Sequence, residues 1–175
     1  AEREAKAMKV SVVILNWNGC DMLRTFLPSV VRYSKGEGVE VCVADNGSTD
    51  ASVEMLRQDF PSVRVILLDQ NHGFADGYNL ALQQVEADYV VLLNSDVEVT
   101  EHWLEPMIAY LDIHPEVAVV YLVMECGIVI YFTQTTDSVN PGFPCALNKP
   151  LKARNMRASG RTDTWAGAPW ALTWR

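Results

Sequence analysis

Several common signatures are missing from this sequence of 175 residues. Neither GxGxxG nor GxxxxGK[ST] occurs, so a classical dinucleotide or P-loop site has no support in the sequence. The four cysteines contain no CxxC pair, which argues against a zinc ribbon. No internal repeat occurs at the periods of solenoids or propellers. These absences leave a chain of ordinary composition, with 49% hydrophobic and 21% charged residues, which is typical of a globular domain.

The sequence also lacks a long uninterrupted apolar run. The longest, residues 117–132, has 16 residues and contains Glu125, whereas a membrane span needs about 20 apolar residues. We therefore predict no transmembrane segment. Residues 1–9 are polar and have no apolar core of a signal peptide. We expect a cytoplasmic, reducing location with free thiols, and peripheral association with the inner face of the membrane is the alternative.

Basic residues are scarce in the main body of the chain. The net charge is −8, but residues 141–175 hold six basic and one acidic side chain, which leaves −13 on the residues before them. Because residues 1–140 are this acidic, they repel nucleic-acid phosphates, and we predict that the chain binds no nucleic acid. A divalent cation would suit this charge better.

Apolar runs and helical patterns alternate over the first 115 residues. Buried strands are predicted at 10–15, 39–44, 63–68 and 89–93, and helices at 21–33, 50–60, 75–86 and 101–113. Pro28 is expected to kink or split the first helix. The alternation predicts an α/β fold, a mostly parallel sheet with helices on both faces. Residues 117–132 are expected to supply one or two further strands, and the rest of the chain shows no sustained period.

Four polar clusters follow the predicted strands, at the sheet edge where ligands bind in such folds. Trp17, flanked by asparagines at the end of a predicted strand, offers a flat apolar face that suits stacking on a nucleobase, although a core or rim tryptophan packing on its own sheet is the alternative. Asp45 could accept a bond from a base N–H or from its own turn. Asp96 directly follows an apolar strand and could hold Mg²⁺ or Mn²⁺, or cap a turn. His72 and His114 show no partner close in sequence.

The ordered series VSVVILNWNG, VADNGSTD, NHGFADGYN and LLNSDVEV resembles the family 2 glycosyltransferases of the GT-A fold, most closely the rhamnosyltransferase-like branch. The resemblance implies a Rossmann-like, nucleotide-binding half and transfer of a sugar from a UDP-, dTDP- or GDP-linked donor to a hydroxyl of a glycan or lipid-linked acceptor, usually with inversion. It implies polysaccharide or cell-wall synthesis in bacteria.

The resemblance also assigns roles to individual residues. Trp17 matches the aromatic position that stacks on the base, Asp45 the carboxylate that bonds the base, and Asp96 the metal carboxylate for Mn²⁺ or Mg²⁺. The full set of nucleotide-binding residues is then Asn16, Trp17, Asn18, Asp45, Asn46, Asn71, Gly73, Phe74, Gly77, Asn79 and Asn94.

The resemblance covers residues 9–119, which we interpret as the nucleotide-sugar-binding half. Residues 120–175 form an atypical tail without the acidic motif of the family, and we expect a truncated or frame-disturbed acceptor half. No catalytic base is identified. Two alternatives remain open: a nucleotide-sugar-binding module without turnover, and a nucleotidyltransferase. The loop at 16–19 lacks the basic residues that the latter requires.

Overall fold

The computed structural model describes residues 10–115, 117, 119–123 and 129–134. Cys126, Cys145 and most of the predicted tail lie outside these residues. Within them the chain forms strands and helices in the order β1 (Val10–Asn16), α1 (Cys20–Tyr33), β2 (Val39–Asp45), α2 (Ser52–Asp59), β3 (Arg64–Leu67), α3 (Gly73–Leu82), β4 (Tyr89–Leu93), α4 (Glu105–Ile113), β5 (Val119–Val123) and β6 (Val129–Gln134). The predicted alternation is confirmed, and the apolar run after residue 117 supplies two strands.

The strands form one sheet in the order β3-β2-β1-β4-β6-β5. The first four strands are parallel, while β6 is antiparallel to β4 and β5 is antiparallel to β6. The chain proceeds outward from β1 through β2 to β3 and then returns to place β4 on the other side of β1. The topological switch point therefore lies between the carboxyl ends of β1 and β4.

Helices cover both faces of the sheet, as predicted. On one face, α1, α2 and α4 pack through Leu27, Leu56 and Leu111 onto alternate strand residues such as Val12 and Val91. On the other face, α3 packs its buried residues onto a second, smaller cluster that contains Val13, Cys42, Ile66, Val90 and Leu92. Because strands β1, β2 and β4 are buried on both faces, their sequences read as continuous apolar runs.

The helices differ from the prediction in several respects, of which the largest concern α1, α3 and α4. Pro28 does not divide α1, because it lies on the exposed face while Leu23, Leu27 and Val30 hold the helix on the sheet. Helix α4 begins at Glu105 and not at residue 101, since His102 has a φ of 61° that a right-handed helix does not allow. Helix α3 begins at residue 73, two residues before the predicted start, and ends at residue 82, four residues before the predicted end.

No helix among the residues that the structure describes is long and apolar enough to span a lipid bilayer.

Candidate functional site

The loops that carry the four polar clusters lie along one edge of the sheet. Asn16 and Asp45 are register partners at the ends of β1 and β2, Asp45 pairs with Leu67 of β3, and Ile14 pairs with Leu93 of β4. Since these strands are parallel, the residues that follow them emerge at the same carboxyl edge. Trp17, Asp45 and Asp96 are therefore brought to one rim, next to the switch point.

Trp17 leads away from β1 with its side chain 56% exposed. Its neighbour Asn16 is buried, at 1% exposed, and Asn18 has a φ of 51°. At this exposure the indole is not part of the hydrophobic core, which removes the core form of the packing alternative for Trp17. The exposed ring offers an apolar plane to a ligand at the sheet edge.

Asp45 is buried, at 3% exposed, at the end of β2. One carboxylate oxygen, Oδ1, accepts a hydrogen bond from Asn16 Nδ2 at 3.0 Å, and Oδ2 accepts one from the backbone N–H of Ser48 at 2.9 Å. The local turn bond that we considered as an alternative role for Asp45 is therefore present. A carboxylate has about four acceptor positions, so these two bonds leave capacity for a further donor.

Asn46 joins the β2–α2 loop to the β3–α3 loop. Its Nδ2 donates to Asn71 Oδ1 at 3.1 Å and to the Gly73 carbonyl at 2.9 Å, and its Oδ1 accepts the His72 N–H at 3.0 Å. Asn46 is 2% exposed. The side chain of Asn71 also accepts the N–H of Gly73 at 2.8 Å. The amides of Asn46 and Asn71 thus bind the chain itself and set the start of α3.

Two glycines at this edge are required by close approach. Gly47 has a φ of 71°, and a Cβ there would lie 2.6 Å from the backbone of Gln70. Gly77 faces inward from α3, where a Cβ would lie 3.0 Å from Asn46 Nδ2 and 3.1 Å from the side chain of Leu15. The small size of Gly77 therefore allows α3 to pack closely against β1. Gly77 contributes to the site by this packing and not by a contact of its own.

Tyr78 is a residue that the sequence analysis did not single out. It is buried, its hydroxyl donates to the Leu93 carbonyl at 3.0 Å, and it accepts the Leu15 N–H at 3.3 Å. Burial raises the pKa of this phenol. Tyr78 therefore connects the ends of β1 and β4 at the switch point. A tyrosine inside an otherwise ordinary helical pattern gave no signal of this role.

Phe74 and Asn79 lie on α3 at the same edge. Phe74 is 56% exposed, and its ring meets the ring of Tyr78 edge to face with centroids 5.0 Å apart. Asn79 is half-buried five residues further along the helix. Phe74, at the start of α3, and Trp17, in the loop after β1, are thus two exposed aromatic side chains at the same edge.

Asp96 and Asn94 are half-buried in the segment that follows β4. Among the described residues, no hydrogen bond or ion pair engages the Asp96 carboxylate. Within the same part of the chain, no three His, Cys, Asp or Glu side chains are gathered closely enough to hold an ion. One carboxylate that no described residue engages fits a Mg²⁺ or Mn²⁺ site that takes most of its oxygen ligands from phosphate and water.

The two histidines considered earlier do have neighbours. His72 Nε2 lies 2.7 Å from Asp69 Oδ1, and the ring of His114 lies 4.4 Å from that of Tyr110. The expectation that neither has a close partner was wrong, because the β3–α3 turn folds Asp69 back onto His72. The hydrogen bond from His72 lowers the pKa of Asp69.

Comparison with known proteins identifies the family. Residues 11–167 match the family model described as "Glycosyl transferase family 2", so the chain belongs to that family. The match continues beyond residue 119, where we expected the resemblance to end. Over 93 residues the chain is 37% identical to the "Uncharacterized glycosyltransferase YfnE" of Bacillus subtilis, an alignment that covers 51% of this chain and 24% of that protein.

Solved structures agree with the fold. The structure of S. aureus TarS 1-349 in complex with UDP-GlcNAc is 29% identical, with a TM-score of 0.53, and the match covers 62% of this chain and 32% of TarS. The mannosyltransferase PcManGT of Pyrobaculum calidifontis, in complex with GDP-Man and Mn²⁺, is 20% identical with a TM-score of 0.63, covering 71% of this chain and 44% of that one. The chain spans less than half the length of each of these three proteins.

Proposed function

We propose that this chain forms the donor-binding part of a glycosyltransferase that moves a sugar from a nucleoside-diphosphate sugar to an acceptor hydroxyl. The observation that carries the proposal is the shared position of Trp17, Asp45 and Asp96 at one edge of the sheet, beside the switch point. Family membership and the likeness to a UDP-GlcNAc complex support the same reading. The rhamnosyltransferase-like branch, inversion and the cell-wall or polysaccharide setting belong to the proposal.

Trp17 stacks on the base in this proposal. Its exposed indole requires no rearrangement of the core to receive a flat ligand, and such stacking is worth about 1–3 kcal/mol per base. Asp45 lies behind it at the end of β2 and accepts a base N–H through acceptor capacity that Asn16 and Ser48 leave open. Uracil, thymine and guanine all carry such an N–H, which suits UDP, dTDP and GDP donors. Phe74, Asn79 and Asn94 complete the wall of the pocket.

Asp96 holds the cation in this proposal. Bound Mg²⁺ or Mn²⁺ neutralises the charge that develops on the departing diphosphate. The protein contributes a carboxylate that no described neighbour engages and an asparagine two residues earlier, Asn94. The acceptor oxygen attacks the anomeric carbon while the bond from that carbon to the diphosphate breaks, which inverts the configuration. The residue that takes the acceptor proton is not assigned.

The division of the chain remains part of the proposal. Residues 9–119 are proposed as the nucleotide-sugar-binding half and residues 120–175 as part of the acceptor half. Strands β5 and β6 lie in the same sheet as β1, so the described part of residues 120–175 contributes strands to that sheet.

The first test is a thermal-shift screen with UDP, dTDP and GDP, each with and without Mn²⁺. A ligand that binds only the folded chain raises its melting temperature, so selective stabilisation identifies base and metal together. Calorimetry then compares Trp17→Ala and Asp96→Ala with the parent chain. We expect Trp17→Ala to weaken nucleotide binding about tenfold and Asp96→Ala to remove its dependence on Mn²⁺.

Tyr110→Ala is the matched control, because Tyr110 is also an exposed aromatic residue but lies on α4. Unchanged nucleotide affinity in both rim variants would refute the site. A transfer and donor-hydrolysis assay then separates a transferase from a module that binds the donor without turnover.

A further inference from the structure

The residues on both sides of Trp17 donate hydrogen bonds to one hydroxyl of the neighbouring loop, Asn16 from its side chain and Asn18 from its backbone. Asn16 Nδ2 donates to Ser48 Oγ at 3.2 Å, and the backbone N–H of Asn18 donates to the same oxygen at 2.9 Å. Ser48 is in turn fixed by its own N–H, which donates to Asp45. Trp17 is therefore the one residue between two attachments, and its position depends on where Ser48 lies.

Asn18 supplies a second set of contacts from the same loop. Its Oδ1 accepts the backbone N–H of Thr49 at 2.7 Å, the N–H of Asp50 at 3.3 Å and the Thr49 hydroxyl at 3.3 Å. Its φ of 51° lies in the left-handed region, which asparagine tolerates better than most residues. One side chain thus satisfies two backbone donors of the opposite loop while its backbone makes the turn after Trp17.

The attachment continues into the first helices. Asp50 Oδ2 accepts the N–H of Cys20, the first residue of α1, and its Oδ1 accepts the N–H of Ser52, the first residue of α2, both at 3.0 Å. These hydrogen bonds lower the pKa of Asp50 against the opposing effect of its partial desolvation. Asp50 therefore binds the first residue of α1 and the first residue of α2, which links the β1–α1 loop to the β2–α2 loop.

We propose that Asn18 and Ser48 are positioning residues that hold Trp17 ready for the base; we call the contacts of these two residues the Trp17 clamp. The inference rests on the proposed function, because it assumes that Trp17 stacks on the nucleotide. An indole that is 56% exposed has few contacts of its own to fix it. Holding its backbone in advance reduces the conformational freedom that is lost on binding, which raises affinity.

In this proposal the two side chains act on the nucleotide through Trp17 and not through direct contacts. Asn18 directs its amide oxygen toward the 49–50 backbone, and Ser48 receives two donors from the Trp17 loop. Their effect on the nucleotide is therefore indirect and passes through Trp17. A residue that acts this way changes affinity only as long as Trp17 is present, and this dependence separates the clamp from direct ligand contacts.

Asn18→Gly is the principal variant. Glycine retains the positive φ, while the acceptor of three hydrogen bonds is lost; these bonds are exposed, so we expect the fold to survive. Ser48→Ala is the second variant and removes the shared hydroxyl. Asn18→Asp is the conservative rescue, since its carboxylate accepts the same three bonds. Gln58→Ala is the matched control, because it deletes another exposed side-chain hydrogen bond, to Glu54 on α2.

Two measurements are made on the 175-residue chain. Calorimetry gives the Kd for whichever of UDP, dTDP and GDP, with Mn²⁺, stabilises the parent most. Fluorine NMR of protein labelled with 5-fluorotryptophan reports the order of Trp17, whose signal is assigned by its loss in Trp17→Phe. We expect Asn18→Gly and Ser48→Ala to raise Kd about three- to tenfold and to move the Trp17 signal toward its position in the unfolded chain. Asn18→Asp and Gln58→Ala should retain both parental values.

The outcomes separate the clamp from the proposed function. If Trp17→Ala weakens binding but Asn18→Gly and Ser48→Ala leave Kd and the Trp17 signal unchanged, the clamp is refuted and the stacking role stands. If Trp17→Ala has no effect, stacking and clamp are both refuted. If Asn18→Gly weakens binding equally with Trp17 present and in a Trp17→Ala background, Asn18 acts on the ligand by another route and the clamp is likewise refuted.

Discussion

The side-chain amide of Asn16 donates a buried hydrogen bond of 3.0 Å to the carboxylate of Asp45, its register partner on the adjacent parallel strand. A carboxylate that is 3% exposed needs such donors, because an unsatisfied charge away from water is costly. The amide therefore makes it possible to keep a charged acceptor at the base of the candidate pocket. Asn16 therefore supports the candidate site by stabilising Asp45, although its own side chain is only 1% exposed.

We expect Asn16→Ala to lower the free energy of unfolding by about 1–3 kcal/mol, because Asp45 loses one of its two observed donors. Asn16 Oδ1 itself has no hydrogen-bond partner among the described residues, so the substitution leaves no protein donor stranded on that side. Urea unfolding followed by circular dichroism measures the change. Gln58→Ala should alter the free energy of unfolding by less than about 0.5 kcal/mol, and an equally small change in Asn16→Ala would contradict the prediction.

Gly47→Ala tests the close approach of the β2–α2 and β3–α3 loops. The variant combines a φ of 71° with a Cβ 2.6 Å from the Gln70 backbone, so the loop must move. We expect a loss of about 1–3 kcal/mol in the free energy of unfolding and weaker nucleotide binding. Gly36→Ala is the control, because its Cβ would meet Val39 at an ordinary 3.4 Å. Equal stability of the two alanine variants would show that the Gly47 turn is not required.

Much of the fold could be predicted from the sequence because buried parallel strands leave a strong pattern. The apolar residues of β1 and β4 lie within the runs predicted at 10–15 and 89–93, and these strands are covered on both faces. The start of α4 could not be predicted in the same way. It depends on the left-handed backbone of His102, which no pattern of apolar residues records.

The sheet edge that carries the candidate site could be predicted from the sequence, whereas the contacts within it could not. A polar residue after a strand indicates the ligand edge of the sheet, and Trp17 and Asp96 emerge there. Whether an asparagine at that edge bonds a ligand or another loop depends on distances between segments remote in sequence. Asn18 and Ser48 are 30 residues apart in sequence, yet the Asn18 backbone nitrogen lies 2.9 Å from Ser48 Oγ. The hydroxyl of Tyr78 likewise donates to the carbonyl of Leu93, 15 residues away at the end of β4. Such contacts follow only from the assembled fold.

Tyr78→Phe tests the connection between β1 and β4 at the switch point. The variant removes the donor to the Leu93 carbonyl and the acceptor of the Leu15 N–H while it retains the ring. We expect a loss of about 1–3 kcal/mol in the free energy of unfolding, because buried backbone groups lose their partner. Tyr110→Phe deletes an exposed hydroxyl and should be neutral within about 0.5 kcal/mol. A neutral Tyr78→Phe would mean that the hydroxyl contributes nothing to the connection.

Cys42 should be inert in the folded chain. Burial in β2 raises the pKa of its thiol to about 12, with a smaller contribution from the charge of Glu40, against an ordinary value of 9.0. A raised pKa means that the protonated thiol is favoured by folding. This contribution to stability is fully present below pH 9 and is lost as the pH rises toward 12.

Alkylation with iodoacetamide at pH 8, followed by mass spectrometry of peptides, measures the effect. We expect Cys42 to react at least about tenfold more slowly than Cys20, which is half-buried at the first residue of α1, and equally fast once the chain is unfolded in guanidinium. Equal native rates for the two thiols would mean that β2 opens readily to solvent. Because Asp45 ends the same strand, such opening would also remove the rigid base that the proposed pocket requires.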